Sequence, residues 1–310
     1  MAEALHDPQR GYYARRIGAI GRRGDFTTAP MLSAAPARAI AAWAARALRE
    51  TGCRDLIEIG PGEGTRAAGI LKHLPWPIRW RTRLHLVETS LPLARCQKER
   101  LGKRALWHQL PQQALAACGG NAVIFSNELV DAFPVRRFQK TTLGWQELAI
   151  HFDLQHLAHE SLLPLAALPD SSGFLESHPI GQRIEVHDSY RRYLTDWLPA
   201  WNSGRMLTID YGAETAALYH RRPQGTLRGY LLQQRVEGAA IYQNPGRQDL
   251  TADVNFTDLQ TWSRPWIREQ RLTSFGEFLQ ESGRPKDELP AELTDTNGVG
   301  GAFLVLDQRR

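Results

Sequence analysis

Residues 55–65 read Asp-Leu-Ile-Glu-Ile-Gly-Pro-Gly-Glu-Gly-Thr. The apolar run 56–59 reads as a buried strand. It enters Gly60-Pro61-Gly62-Glu63-Gly64, a turn in which the backbone can pass close to a ligand. Thr65 is placed to cap a helix over 66–73. Strand, glycine turn and helix N-terminus together form a nucleotide-cofactor site at the carboxyl end of a sheet strand. A second apolar run, 84–87, ends in Glu88, whose carboxylate can accept hydrogen bonds from a ribose diol.

Two cofactor classes use this layout. A dinucleotide wants G-x-G-x-x-G, with its pyrophosphate on the helix N-terminus. Here the glycines are closer together, Pro61 removes a backbone donor and Glu63 adds an anion, and both oppose a pyrophosphate. Glu88 also lies 28 positions after Gly60, where the dinucleotide fingerprint has its acid after roughly 20. S-adenosylmethionine has no phosphate and carries a sulfonium and an ammonium, charges that Glu58 and Glu63 suit. The expected cofactor is therefore S-adenosylmethionine, held by Glu58, Gly60, Pro61, Gly62, Gly64 and Glu88.

The chain has 310 residues, 42% of them hydrophobic and 23% charged, enough for a real core and against general disorder. The net charge of +5 is spread over isolated arginines and reads as a solvated basic surface. With no aromatic-basic recognition motif, no nucleic-acid partner is expected. Cys53, Cys96 and Cys118 are scattered and form no C-x-x-C, which speaks against a disulfide scaffold or structural zinc. His151, His156 and His159 lack paired helical spacing, so no metal is expected. No signal or transit peptide is evident, and the longest apolar stretch, 34–48, is interrupted by Arg38 and Arg46. The expectation is a cytoplasmic protein of a reducing compartment, with no membrane insertion.

Outward from the opening stretch, strands and helices alternate. A helix is predicted over 37–51, then strands at 56–59, 84–87, 106–108 and 122–125, with helices at 65–73, 93–101 and 111–117 between them. This alternation implies βαβ units and a doubly wound, Rossmann-like parallel sheet, an α/β fold with insertions. The rhythm then breaks. A hairpin is predicted over 135–138 and 145–152, an irregular insert over 156–179, an amphipathic helix over 185–201 and a loop-rich stretch over 213–255. The sheet resumes at 206–209 and closes with an antiparallel edge pair, 267–272 and 303–306, around a helix at 275–282. The expected organisation is one domain, with its core at 37–134, 203–212 and 264–310. A substrate-side insertion covers 135–202 and 213–263, and 1–36 forms a lid.

Polar groups at a strand's carboxyl end face the ligand crevice of such a sheet. After strand 122–125 these are Asn127, Glu128 and Asp131, with Glu128 and Asp131 on one face if 129–132 form a helical turn. Methyl transfer needs in-line approach of a nucleophile and a group that orients it and takes its proton. A guanidinium acceptor suits a carboxylate fork. Glu128, Asn127, Asp131 and Asp210 are therefore the candidate catalytic residues. By spacing alone, Asn127 and Glu128 equally cap a turn, and Asp210 equally ends a strand. Thr27 and Thr28, in Gly24-Asp25-Phe26-Thr27-Thr28-Ala29-Pro30, are further candidates to bind the cofactor.

The chain resembles the MidA-like S-adenosylmethionine-dependent methyltransferases. The matching pieces run in order: Gly11-Tyr12-Tyr13, the 24–30 loop, Glu58 through Thr65, Leu86 through Ser90 with Gln97, Trp107-His108, 126–138, Ile209 through Gly212, Thr226-Leu227-Arg228 with Tyr230, and 249–256. The resemblance implies a seven-stranded methyltransferase sheet, cofactor binding by the Gly60–Gly64 loop and Glu88, and Asn127 and Glu128 near the methyl group. Mitochondrial members are protein arginine methyltransferases that assist respiratory complex I assembly. Met31 stands where the family usually has an acid, and Asp253-Val254-Asn255-Phe256 where it has His-Val-Asp-Phe. The expected activity is protein arginine N-methylation. A small-molecule O- or N-methyltransferase and a non-catalytic assembly factor that binds the cofactor are the alternatives. The expected partners are a protein presenting an arginine, with a respiratory-chain subunit as one candidate, and a second copy of the chain.

Overall fold

The computed structural model describes residues 1–15, 34–155, 157–232, 234–282, 291–295 and 298–310. The chain divides into two compact units. One draws on Thr27–Leu129, Leu194–Tyr211 and Ser263–Arg310, the other on Met1–Phe26, Val130–Tyr193 and Gly212–Trp262.

The first unit is built on a sheet whose strands are β1 (Asp55–Ile59), β2 (Arg83–Val87), β3 (Ala105–His108), β4 (Val123–Asn127), β5 (Arg205–Ala213), β6 (Glu269–Ser274) and β7 (Phe303–Arg309). Their spatial order is β6-β7-β5-β4-β1-β2-β3. β1 to β5 pair in parallel, and β7 runs antiparallel to both neighbours. Every residue of β1 and β4 is buried, as expected of strands covered on both faces. The helix Ala35–Thr51 lays Ile40, Trp43, Ala44 and Ala47 into a core with Leu56, Leu86, Phe125 and Ile209. The helix Phe275–Ser282 adds Phe275, Phe278 and Leu279 to the same core. Burying each such large side chain contributes about 1.5–3 kcal/mol.

Strand order reverses between β1 and β4, so their carboxyl ends part and open a crevice at the switch point. The expected helices and parallel strands are all present, and β4 runs on through Ser126 and Asn127. A helix over Trp76–Arg81, in a stretch to which the sequence reading gave no element, is also present. Pro77 sits in the first turn, where its missing N–H costs nothing.

The second unit carries the corrections. The helix predicted over 185–201 is a strand, Arg183–Val186, then a helix, Asp188–Trp197, and a short 3-10 turn. Pairing of Phe138 with Ile184 and of Arg136 with Val186 wins over the helical periodicity. The predicted insert at 156–179 contains the strand Ala158–Leu163, which pairs with Gly144–Phe152. The stretch predicted as loop-rich holds a small sheet of Arg228–Leu231, Gln234–Val236 and Asp249–Thr251. Near the N-terminus, Leu5 and Tyr12 join Ile241 and Leu250 in a small core. Residues 1–15 of the segment expected as a lid thus pack within this unit, and Ala35 and Pro36 start the helix Ala35–Thr51 of the sheet unit.

Candidate functional site

The glycine turn leaves β1 with Gly60, Gly62 and Gly64 all at positive φ, +69°, +54° and +74°. A Cβ on Gly60 would lie 2.7 Å from Leu129 Cδ1, whereas one on Gly62 would meet nothing within 4 Å. The backbone at Gly62 is therefore open to a ligand while Gly60 packs against the exit of β4. Gly64, not Thr65, occupies the N-cap, and Thr65 is the first helical residue. A left-handed N-cap glycine takes over the start of the helix, and the Thr65 hydroxyl accepts from Arg100 instead. Pro61 is buried, and its carbonyl accepts from Gly64 N at 2.9 Å to close the turn.

Glu88 follows β2. Its Oε1 accepts from Ser90 N at 2.8 Å and its Oε2 from Gln97 Nε2 at 3.2 Å. Each oxygen keeps a lone pair for a diol. Burial pushes the Glu88 carboxyl up from its ordinary value, and the bonds from Ser90 and Gln97 oppose that rise. Gln97 is fully buried and also donates to Gly62 O at 2.6 Å, while its own Oε1 accepts from Trp107 Nε1 at 3.1 Å. It ties the glycine turn to the acid after β2.

Glu58, on β1, is buried, and burial pushes its carboxyl up to about 7, with Arg66 drawing it down and Glu88 raising it further. Glu58 Oε2 is buried with no hydrogen-bond partner among the described residues, and so is Arg66 Nη1. Arg66 Nη2 lies 3.6 Å from Glu128 Oε1. Arg66 stands in the first turn of its helix, where the helix dipole opposes a cation. That misplaced charge was the available signal, and sequence reasoning missed it. Glu63, expected to complement the cofactor's charge, instead pairs with Arg100 at 3.7 Å.

At the end of β4, Asn127 Nδ2 donates to Glu128 Oε1 at 2.9 Å. Glu128 itself has φ +53°, an uncommon conformation for a residue with a side chain. No helical turn forms over 129–132; the chain makes bends and a turn, so the proposed shared helix face of Glu128 and Asp131 does not exist. The φ of Glu128 turns the chain out of helical geometry. Asp210, on β5, is fully buried; its Oδ2 accepts from Leu129 N at 3.1 Å and its Oδ1 from Tyr211 N at 2.9 Å. These bonds anchor the exit loop of β4.

Glu58, Gly60, Pro61, Gly62, Gly64, Glu88, Asn127, Glu128 and Asp210 therefore all lie in one unit, on or just beyond β1, β2, β4 and β5. Asp131 belongs to the other unit, where its Oδ2 accepts from Thr251 Oγ1 at 2.7 Å. Thr27 and Thr28 lie outside the described residues. Among the described residues no group of three metal-ligating side chains occurs.

A parallel sheet with this switch point, a glycine turn after β1 and an acid after β2 defines a cofactor-binding doubly wound protein. The family described as "Putative S-adenosyl-L-methionine-dependent methyltransferase" matches residues 39–270, and the chain belongs to this S-adenosyl-L-methionine-dependent methyltransferase family. The chain is 27% identical to "Protein arginine methyltransferase NDUFAF7 homolog, mitochondrial" of Drosophila melanogaster, over 83% of this chain and 63% of that protein. It is 26% identical to the Rattus norvegicus protein arginine methyltransferase NDUFAF7, mitochondrial, over 91% of this chain and 68% of that protein. It thus spans about two thirds of these relatives' length. A crystallised Burkholderia thailandensis protein bound to S-adenosyl-homocysteine shares the fold at a TM-score of 0.86 and 27% identity, over all of this chain and 86% of that one.

The residues fit this cofactor. Its amino-acid end is a zwitterion, and the structure offers a buried unpartnered acceptor at Glu58 Oε2 and a buried unpartnered donor at Arg66 Nη1. Such atoms are costly unless something satisfies them.

Proposed function

We propose that the chain is a protein arginine N-methyltransferase, with a respiratory-chain subunit as the candidate acceptor. The observation that carries this reading is the Glu128 carboxylate, held by Asn127 and already facing a guanidinium, that of Arg66 at 3.6 Å. The names of the fly and rat relatives support it.

In this reading Glu58 takes the ammonium of the cofactor, Arg66 its carboxylate, Glu88 the ribose diol and the backbone at Gly62 its close approach. The bound cofactor supplies an electrophilic methyl group on a sulfonium sulfur. The protein must orient a guanidinium nitrogen and hold its departing proton. Asn127 occupies Glu128 Oε1, which leaves Oε2 to accept from the incoming guanidinium. Asp210 is a positioning residue, because it holds the Leu129 amide and so the loop that carries Glu128.

Incubation with methyl-tritiated S-adenosylmethionine and a cell extract, followed by acid hydrolysis and amino-acid analysis, tests the reading. Label in methylarginine that is lost with Glu128→Gln is the expected result. Label confined to small molecules, or to another amino acid, would replace it.

A further inference from the structure

A second surface lies on the same unit, at the amino ends of β2 and β3, the end of the sheet opposite the crevice. The helix Trp76–Arg81 sits there and buries none of its residues. Its backbone closes on itself: Ile78 N and Arg79 N donate to Pro75 O, and Thr82 N donates to Ile78 O. Trp76 and Trp80, four positions apart and so on one side of the helix, are 70% and 80% exposed. Neither ring contributes to the core. Beside them a concavity of about 830 Å³ is lined by Lys72, Arg79, Arg83, Lys103 and Arg104, and by no carboxylate. Arg83 is engaged by Asp55 at 2.7 Å, and Arg104 by the carbonyls of Leu101 and Arg100. Lys72, Arg79 and Lys103 are exposed and, among the described residues, have no ion-pair partner. Leu106, on the edge strand β3, adds a half-exposed apolar side chain.

Protruding tryptophans flanked by unpaired cations match the interface of a bilayer, where an indole ring sits at the headgroup level and cations meet anionic lipid. A base-stacking platform needs rings laid against the protein with one face covered. Trp76 and Trp80 border the concavity but leave 70% and 80% of their surface to solvent instead. No helix among the described residues is long and apolar enough to cross a membrane, so any seat on a bilayer through this unit is peripheral. We propose that this face seats on an anionic lipid surface, with Trp76 and Trp80 in the headgroup layer and Lys72, Arg79 and Lys103 on the lipid phosphates. The seat lies away from the crevice, so the cofactor site stays accessible while the protein is docked.

Co-sedimentation of the full chain with phosphatidylcholine vesicles, with and without about one third phosphatidylglycerol, tests this. The expected result is binding to the anionic vesicles alone, lost as salt is raised to about 0.5 M. The pairs Trp76→Ala with Trp80→Ala, and Arg79→Glu with Lys103→Glu, should each weaken it by about tenfold or more. Titration with S-adenosyl-homocysteine should be unchanged in both, which shows that the variants fold. Equal binding to neutral vesicles, no binding to either kind, or binding that neither pair alters would overturn the proposal. So would tight binding of a labelled single-stranded oligonucleotide, lost in the same variants, by a protein that ignores vesicles.

Discussion

The two units are held together by different physics. In the sheet unit each candidate site residue sits on or just beyond a strand, and part of its bonding is local: Asn127 bonds Glu128, and Glu88 bonds Ser90 and Gln97, while Asp210 holds Leu129 and Arg66 faces Glu128 from farther along the chain. In the other unit the buried polar side chains bond partners far along the chain. Arg137 Nε donates to Glu185 Oε1 at 3.2 Å, 48 positions on, and its other nitrogens donate to Tyr242 and to Gln224 O. Glu185 Oε2 accepts from Thr226 N and Oγ1. Asp258 accepts from Ser171 Oγ at 2.6 Å and from Ser172 N at 2.7 Å, more than eighty positions back. Apolar periodicity shapes the first unit, and a closed polar network fixes the second. The difference teaches that the sheet unit rests chiefly on apolar packing, while the other unit depends on a few buried charges.

The largest effect should come from that network. Arg137 and Glu185 are both buried, so Arg137→Ala strands a carboxylate and should destabilise the protein by about 3–5 kcal/mol in chemical denaturation. A loss below about 1 kcal/mol would break the comparison, because it would make the network ornamental. Next, Glu128→Gln should lower kcat by about a hundredfold or more and leave the affinity for S-adenosyl-homocysteine intact. Single-turnover kinetics beside calorimetry separate the two, and turnover at the wild-type rate would remove Glu128 from its role.

Gly60 and Gly62 sharpen the contrast within the sheet unit. Both have positive φ, so alanine strains either by about 1–2 kcal/mol. Only Gly60→Ala also drives a methyl into Leu129, which follows Glu128 in the loop. Chemical denaturation should therefore show a larger loss of stability for Gly60→Ala than for Gly62→Ala, by about 1 kcal/mol or more. Equal losses would mean that the Leu129 contact does not matter.

The site also predicts a pH dependence. Glu58 titrates near 7 in the folded protein and near its ordinary 4.5 when unfolded. Between these values the folded chain holds a proton that the unfolded chain has lost. The stability from this site is therefore greatest at low pH and declines as pH rises to about 7. An ammonium group favours the ionised carboxylate, so affinity for the cofactor should rise with pH toward about 7, by up to about tenfold per unit, and level off above. Calorimetric titrations across that range check the slope. Glu58→Gln should flatten it, and an unchanged slope in that variant would assign the titration to another group.

Where the resemblance implies His-Val-Asp-Phe this chain has Asp253-Val254-Asn255-Phe256, and both departing residues are employed. Asp253 pairs with Arg228 and Arg222. Asn255 Oδ1 accepts from Thr257 N at 3.1 Å and from Thr215 Oγ1 at 2.9 Å, starting the helix Phe256–Ser263 and tying it to the strand exit before it. By sequence this segment passes as a capped helix start, which the Asn255 bond to Thr257 and the helix after it match, whereas the ion pairs of Asp253 and the bond from Thr215 were not legible.

What the sequence determined alone was whatever short-range periodicity and backbone sterics encode. Runs such as 56–59 and 84–87 specify buried parallel strands, three glycines within five residues specify a turn at positive φ, and an acid directly after β2 follows from its position. Only the tertiary structure decided that 183–186 is a strand rather than a helix, that Arg66 stands between Glu58 and Glu128, and that Asp131 joins Thr251 rather than Glu128. The reason is physical. Strand pairing and the desolvation of a buried charge depend on partners brought together through space, and a local window of sequence holds only one side of each.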